Sequence, residues 1–447
     1  MAKVVSSRKS CSVNPLKMSQ PIGGALAFMG IANAMPVLHG SQGCTAFGLV
    51  LFVRHFREAI PLQTTAMNEV STILGGMENI EEALLNIHAR AKPELIGLCT
   101  TGLTETRGED IMGELKLIRS RHPELQELPI VFVETPDYKD SFQDGWANTV
   151  ARIVCELVDK PRFPIPGQVN LLAGSHLTAA DIEEIVDTIE AFGLKAVVLP
   201  DLSGSLDGHI PQDFSPTTIG GTKVREIRSM GGSLATIAIG RQMEKAAIEL
   251  ESRSGVSYTV FDRLTGLEEN DRFLMHLSGL SGQPVPEKLR RRRSQLVDAM
   301  LDSHFHFGGK KIAIAAEPDL LWAIGALFAE MGAKISVAVT TTRSPLLERM
   351  PCEEVLIGDL EDLETRAGDS DLILTHSHGR QASRRLGIPL MRIGLPTFDR
   401  LGASHALNVG YRGSMKLIFQ AANLLLERED EDCKKPWGNG AAAAQIV

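Results

Sequence analysis

Short apolar runs alternate with helical stretches along almost the whole chain, and this alternation narrows the available folds more than any other feature. Runs at 95–99, 130–133, 169–172, 196–199, 235–239, 258–261, 311–315, 334–339, 354–357, 372–375 and 390–393 are rich in Val, Ile and Leu. Continuous apolar runs of this kind suit strands covered on both faces. Stretches at 45–58, 81–91, 111–121, 180–192, 242–254, 320–331 and 414–429 carry helical spacing instead, as does a small-residue stretch at 22–34 that ends near Pro36. Strands that alternate with helices predict parallel βαβ units.

Two joints break the pattern, the proline-rich 161–166 and the pair Gly308-Gly309. The expected architecture is therefore α/β, with three doubly wound, Rossmann-like domains at 21–163, 164–308 and 309–430. A length of 447 residues is enough to bury three cores. A polar N-terminal arm, 1–20, is expected to be extended and to order only on a partner or on its own body. A charged and then Gly/Ala-rich tail, 431–447, is expected to be mobile. Ligands of doubly wound sheets gather beyond the carboxyl ends of strands. That singles out Thr100-Thr101-Gly102, 201–209, Glu317-Pro318-Asp319 and 375–379.

A formal charge of −9, from 46 basic and 55 acidic residues, argues against a general affinity for nucleic acid or an anionic membrane. Six cysteines, Cys11, Cys44, Cys99, Cys155, Cys352 and Cys433, are scattered with no C-x-x-C pair. Neither a disulfide framework nor a self-contained zinc or ferredoxin site is encoded, and a reducing cytoplasm fits best. Lys3, Arg8 and Lys9 ahead of the apolar run 22–31, with Ala32-Asn33-Ala34 after it, imitate a secretory signal. Cleavage there would cut through a motif that continues past it, and Asn33 and Pro36 make the run too short for a membrane span. No phosphate-binding G-x-x-x-x-G-K-[ST] loop, G-x-S-x-G elbow, H-E-x-x-H or strand-following G-x-G-x-x-G is present. The glycine pairs Gly220-Gly221 and Gly231-Gly232 read as loops. This chain alone is expected to catalyse little.

The stretch His39-Gly40-Ser41-Gln42-Gly43-Cys44-Thr45-Ala46-Phe47 is a tight turn running into a helix that carries Phe47, Leu51 and Phe52. Cys44 is thereby placed where a loop becomes a helix. Unpaired N–H groups and the positive end of the helix dipole favour a thiolate there, the form that binds metal. Two readings stand at this point: an iron ligand, or a small buried hydrophobe, as free cysteines often are.

Asn14-Pro15-Leu16-Lys17, Gln20-Pro21-Ile22-Gly23-Gly24-Ala25, the Cys44 turn and Arg54-His55-Phe56-Arg57-Glu58 together resemble the β-type subunit of the nitrogenase component 1 family. The likeness continues through Leu62-Gln63-Thr64-Thr65-Ala66-Met67, Asp298-Ala299-Met300-Leu301-Asp302-Ser303-His304-Phe305 and Gly410-Tyr411-Arg412-Gly413. The run Leu202-Ser203-Gly204-Ser205-Leu206-Asp207-Gly208-His209 resembles one branch in particular, the scaffold on which the iron–molybdenum cofactor is matured. The resemblance implies three doubly wound domains and a β-type subunit that pairs with an α-type scaffold subunit as an α2β2 heterotetramer. It also implies insertion of molybdenum and homocitrate into an iron–sulfur precursor held mainly by the partner. The other partners it implies are an ATP-dependent reductase of the nitrogenase iron-protein type and proteins that donate and carry the precursor.

The catalytic β subunit of the family has one Cys just before Gln-Pro and another in a Thr-Thr-Cys turn; this chain has Ser19 and Gly102 there. A single thiolate cannot hold an eight-iron cluster from this side, since each iron needs a strong ligand. The resemblance then implies a [4Fe–4S] cluster shared across the subunit boundary, with Cys44 as one ligand and electron relay and the partner supplying the other three. Two alternatives are the β subunit of a nitrogenase-like reductase, for example one acting on tetrapyrroles, and a metal-free small-molecule-binding α/β protein.

The remaining candidates read as packing or surface groups. Cys99 lies in an apolar strand, Cys155 in a helical run and Cys352 beside Pro351, while Cys11 is a stray or reactive thiol of the arm. His376 and His378 follow a strand, His304 and His306 precede Gly308, and His209 shares a loop with Asp201 and Asp207; loop shaping or packing is the better reading for each. Lys288 with Arg290 to Arg293 lacks interleaved aromatics, so a solvated helix face or intersubunit salt bridges fit better than a nucleic-acid patch. Arg54, His55 and Arg57, three turns beyond Cys44, are read as a basic patch on which the reductase docks.

Overall fold

The computed structural model describes residues 1–160 and 163–434. Among the described residues fourteen strands form three sheets in which every pairing is parallel. In chain order they are β1 (Lys3–Ser6), β2 (Ala34–His39), β3 (Gln63–Thr64), β4 (Leu95–Thr100), β5 (Ile130–Val133), β6 (Gln168–Ala173), β7 (Lys195–Leu199), β8 (Ala235–Ile239), β9 (Tyr258–Phe261), β10 (Lys311–Ala315), β11 (Lys334–Thr340), β12 (Glu354–Ile357), β13 (Leu372–Thr375) and β14 (Leu390–Arg392). The orders are β3-β2-β4-β5, β7-β6-β8-β9 and β1-β12-β11-β10-β13-β14.

Each sheet reverses its direction of growth once, between β2 and β4, between β6 and β8, and between β10 and β13. At such a switch point the connecting segments leave to opposite faces and a crevice opens beyond the carboxyl ends. The crevices fall at Gly40-Ser41 and Thr101-Gly102 in the first sheet, at Gly174 to His176 and Gly240 in the second, and at Glu317 and His376 in the third. Strands of all three sheets share one continuous core with the helix α1 (Gln20–Met29), all ten of whose residues are buried.

Several elements depart from the sequence reading. The helix expected over 22–34 stops at Met29, and β2 follows it through Pro36. Proline normally avoids a central strand because it cannot donate to the ladder. Here β3 pairs only with Val37 and Leu38, so Pro36 lies beside β4 alone. The expected arm contributes β1, which lies along β12 on its own body. The helix Leu267–Ser281 was not expected, Phe142–Leu157 and Glu287–Phe307 extend well beyond the helical run read around Cys155 and the helix face read at the arginines, and the final helix runs from Gly410 to Lys434, beyond the expected end at 429. Of the tail 431–447, residues 435–447 lie outside the described residues, as do 161 and 162 of the first joint. Among the described residues no helix is long and apolar enough to cross a membrane.

Candidate metal centre

The first sheet's switch point is built by close backbone approach. A Cβ on Gly40 would overlap the Thr101 side chain, and the Thr101 hydroxyl instead donates to the His39 carbonyl at 3.0 Å. This brings the turns after β2 and β4 together. Ser41, extended at φ −73° and ψ 155°, caps the helix α2 (Gln42–Phe56), and Cys44 sits in its first turn. The expected loop-to-helix position of Cys44 is what the fold provides.

Cys44 is exposed, with its Sγ 3.5 Å from Ser41 Oγ. The reading as a small buried hydrophobe therefore fails for Cys44; it holds for Cys99, which is fully buried and whose thiol burial pushes up to about 12. One turn along α2 from Cys44 begins a strip of exposed apolar side chains, Phe47, Val50 and Val53, while Phe52 on the opposite face is core. Val70 and Ile73 are exposed on the helix Glu69–Leu74, which Arg107 ties to the same edge by donating to the Ser71 carbonyl at 2.7 Å. Several large apolar side chains left in the open at a switch point suit a protein partner.

Ser19 and Gly102 belong to the same edge. Ser19 precedes α1, and its side chain makes no capping bond. Its neighbour Gln20 donates to the carbonyls of Pro136 and Lys139 at 3.2 and 2.9 Å, and between them Asp137 places its carboxylate where a side chain of Gly102 would lie. His39 is a structural pin: buried, it bonds Thr65 Oγ1 at 2.9 Å and Glu109 Oε2 at 3.1 Å, and burial holds its imidazole below the usual range. Among the described residues no group of three His, Cys, Asp or Glu side chains is placed to hold a metal ion.

The other candidates are accounted for by contacts within the chain. The Cys352 thiol lies 3.3 Å from the Glu354 carbonyl and is pushed up to about 11 by burial, Cys155 is half-buried, Cys11 is exposed, and the Cys433 side chain lies outside the description. His376 accepts from the His378 amide at Nδ1 and reaches the Leu16 carbonyl through Nε2 at 3.3 Å, which fastens the N-terminal segment to β13. His209 pairs with Asp207, while Asp201 accepts from Ser203 at 2.6 Å, so that loop shapes itself. His304 bonds its own helix at Leu301.

The basic run forms ion pairs within the chain: Arg292 with the buried Glu184 at 3.1 Å, and Arg293 with Asp271 at 2.8 Å. The end of α2 grips the loop after β14: Arg54 stacks on Phe398 at 4.1 Å, His55 Nδ1 accepts from the Thr397 amide at 2.9 Å, and Arg57 donates to the Phe398 carbonyl at 3.3 Å. Arg54 and Arg57 remain exposed, whereas His55 is turned inward and leaves the basic patch.

A family model described as "Nitrogenase component 1 type Oxidoreductase" matches residues 19–426. The chain belongs to that family. Relatives within it include the "Nitrogenase iron-molybdenum cofactor biosynthesis protein NifN" of Bradyrhizobium diazoefficiens, 59% identical over 97% of this chain and 93% of that one. The protein of the same description from Nostoc sp. is 52% identical over 97% of this chain and 98% of that one. A solved structure described as "Nitrogenase Cp1 at pH 6.5" superposes with a TM-score of 0.90 at 30% identity, covering 99% of this chain and 98% of the other. The three parallel sheets are thus the nitrogenase component 1 architecture.

Proposed function

We propose that this chain is the β-type half of a two-subunit scaffold on which the iron–molybdenum cofactor of nitrogenase is matured. The observation that carries the reading is a single exposed thiol, Cys44, at the switch point of the first sheet, beside two positions that offer no thiol, Ser19 and Gly102. The printed names of the relatives at 59% and 52% identity support the scaffold over a nitrogenase-like reductase.

The donor set fits an iron–sulfur cluster only if the cluster is shared. One thiolate is one ligand, and a [4Fe–4S] centre takes four. Cys44 would hold it from this side and an α-type partner would supply the rest; when bound, such a cluster transfers single electrons. The chain's own residues prepare the place. Unpaired N–H groups give the first turn of α2, where Cys44 sits, a partial positive charge. Gly43 leaves the approach open, since a Cβ there would meet only Ser41 Oγ at 3.8 Å. Phe47, Val50 and Val53 would be covered by the partner, which removes water from around the cluster and strengthens its electrostatic coupling to those N–H groups. The precursor and the added molybdenum and homocitrate are cargo, held mainly by the partner. Arg54 and Arg57, exposed at the far end of α2, are the docking candidates for the ATP-dependent reductase.

Iron and sulfide analysis with electron paramagnetic resonance of the co-purified pair tests this. The wild-type pair should carry a cluster signal that Cys44→Ala alters or abolishes. An unchanged signal and iron content in Cys44→Ala would overturn the shared-ligand assignment.

A further inference from the structure

Residues at the switch points of the second and third sheets, Ser175, His176 and Glu317, line one cavity of about 500 Å³ together with His55 and Phe56 from the end of α2. That volume lies within the roughly 300–1,000 Å³ of small-molecule sites. Most of the wall is apolar, including Phe142, Leu320, Ile324 and Leu424, and among the described residues no cysteine lines it. Without a soft ligand the space is unsuited to an iron–sulfur cargo.

His176 stands at the switch point of the second sheet, and two glycines make room for it. A Cβ on Gly174 or on Gly240 would come within 2.8 Å of His176 Cε1. Gly240, at φ +94°, also takes a conformation that other residues adopt only with strain. His176 Nδ1 is buried with no partner among the described residues, and Nε2 has none either. A buried polar group without a partner costs free energy unless something satisfies it.

His55 enters from α2 in a defined form. Because its Nδ1 accepts from the Thr397 amide, the neutral ring carries its proton on Nε2, which has no partner among the described residues. Burial holds both imidazoles down to about 4, so both are neutral at pH 7. Three residues beyond Thr397, Arg400 lines the same cavity. It forms no ion pair among the described residues, whereas its neighbour Arg392 is neutralised by Asp399 at 2.8 Å. Two carboxyl groups, Glu427 and Glu317, also line the cavity without an ion pair among the described residues, and burial pushes the Glu317 carboxyl up to about 7, towards its neutral form.

We propose that this cavity is a binding site for a small organic monocarboxylate with an apolar body, its carboxylate taken by Arg400 and the His55 N–H and its body laid against Leu320, Ile324 and Leu424. His176 supplies a second hydrogen-bonding edge for a hydroxyl or carbonyl group on that body. The site is separate from the Cys44 centre and stands whether or not the scaffold reading does.

Isothermal titration of the full chain, in whatever complex it is purified, with octanoate, octanamide and octylamine tests the assignment. Octanoate should bind roughly tenfold more tightly than octanamide, the margin expected of one charge-assisted contact, and octylamine more weakly than either. Arg400→Gln, at an exposed position, should bring octanoate down to the octanamide level and leave octanamide unchanged. His55→Phe should weaken both, and because it also takes the acceptor from the Thr397 amide it should lower the melting temperature, so the comparison of octanoate with octanamide in Arg400→Gln is read at an unaltered melting temperature. Equal binding of the three probes, tighter binding of octylamine, or no binding of octanoate would overturn the proposal.

Discussion

The carboxylate of Asp137 occupies the space into which a side chain at Gly102 would project. The obstruction is the free end of an exposed side chain, so it can swing into solvent. Gly102→Ala should therefore cost under about 1 kcal/mol. Gly23 presents the opposite case, since its Cβ would strike the backbone of Phe142 and approach the Trp146 amide nitrogen at 2.9 Å where α1 packs on the helix Phe142–Leu157. Backbone cannot step aside, and Gly23→Ala should cost about 1–3 kcal/mol or more through overpacking. Paired denaturant melts check the contrast; equal losses would show that the Asp137 loop is as rigid as the helix contact.

Cys44 is exposed and adds little to the buried core. Cys44→Ser should leave the stability of the chain within about 0.5 kcal/mol of wild type. Cys99→Ser is the control, because Cys99 is fully buried against Gly24, whose Cβ would lie 2.9 Å from Sγ. A hydroxyl there loses packing and adds a polar group to desolvate, about 1–3 kcal/mol. Chemical denaturation of the metal-free chain distinguishes the two; a large loss in Cys44→Ser would mean that the thiol supports the turn.

How much of this was legible in the sequence follows from what each segment buries. The central strands were readable because β4, β10 and β13 are apolar apart from Lys311, Thr100 and Thr375 at their ends, as strands covered on both faces tend to be. The start of α2 was readable because Gly40 and Gly43 punctuate it. Two of the edge strands, β1 and β3, were not, since Lys3–Ser6 and Gln63–Thr64 are short and carry polar residues. β2 was hidden by Pro36, which breaks a strand pattern unless the neighbouring strand happens to be short. The packing of Glu287–Phe307 against its own chain was hidden, because the partners of its arginines, Glu184 and Asp271, are remote in sequence.

The same remoteness concealed the cavity. The strand-end rule pointed to 201–209 in the second sheet, but the crevice lies at Gly174 and Gly240, because β6 and β8 are the strands between which growth reverses. Strand order cannot be read from local spacing. Glu317, named at the end of β10, does line the cavity, and its carboxyl is pushed up to about 7 by burial while Ser141 and Thr341 donate to it.

His376 makes the docking of the N-terminal segment sensitive to acid. Its neutral ring donates from Nε2 to the Leu16 carbonyl and accepts at Nδ1 from the His378 amide, and burial holds it down to about 4. The unfolded chain takes up this proton near pH 6.5 and the folded chain only near 4. Its contribution is thus complete above about pH 6.5 and is lost as the pH falls towards 4. The buried Glu317 and Asp319, held up to about 7 and about 6, favour the fold in the opposite sense, more strongly at low pH. A global melt mixes these terms, whereas hydrogen exchange at His378 reports the local one. Its protection should fall between pH 6.5 and 4, and protection that stays flat over that interval would remove His376 from this role.

Glu184 is the point at which the basic helix is fastened to the second sheet. Its carboxylate, 4% exposed, pairs with Arg292 at 3.1 Å and with Arg412. Removing one member of a buried pair strands the other charge, which costs about 3–5 kcal/mol. Glu184→Ala leaves the Arg292 guanidinium, 12% exposed, without its counter-ion and should fall in or near that range, since Arg412 is freer to reach water. Arg293→Ala breaks a bidentate pair with Asp271 at the surface, and there the expected loss is under about 1 kcal/mol because water replaces what is removed. Glu184→Gln should lie between the two, since the amide keeps a hydrogen-bond acceptor for Arg292 and loses only the charge. Urea melts of the three variants at low and moderate salt would order them, with the Arg293→Ala difference shrinking as salt rises and the Glu184→Ala difference largely unmoved. If Arg293→Ala proved as costly as Glu184→Ala, the run of arginines would owe its place to the helix surface and not to the buried carboxylate.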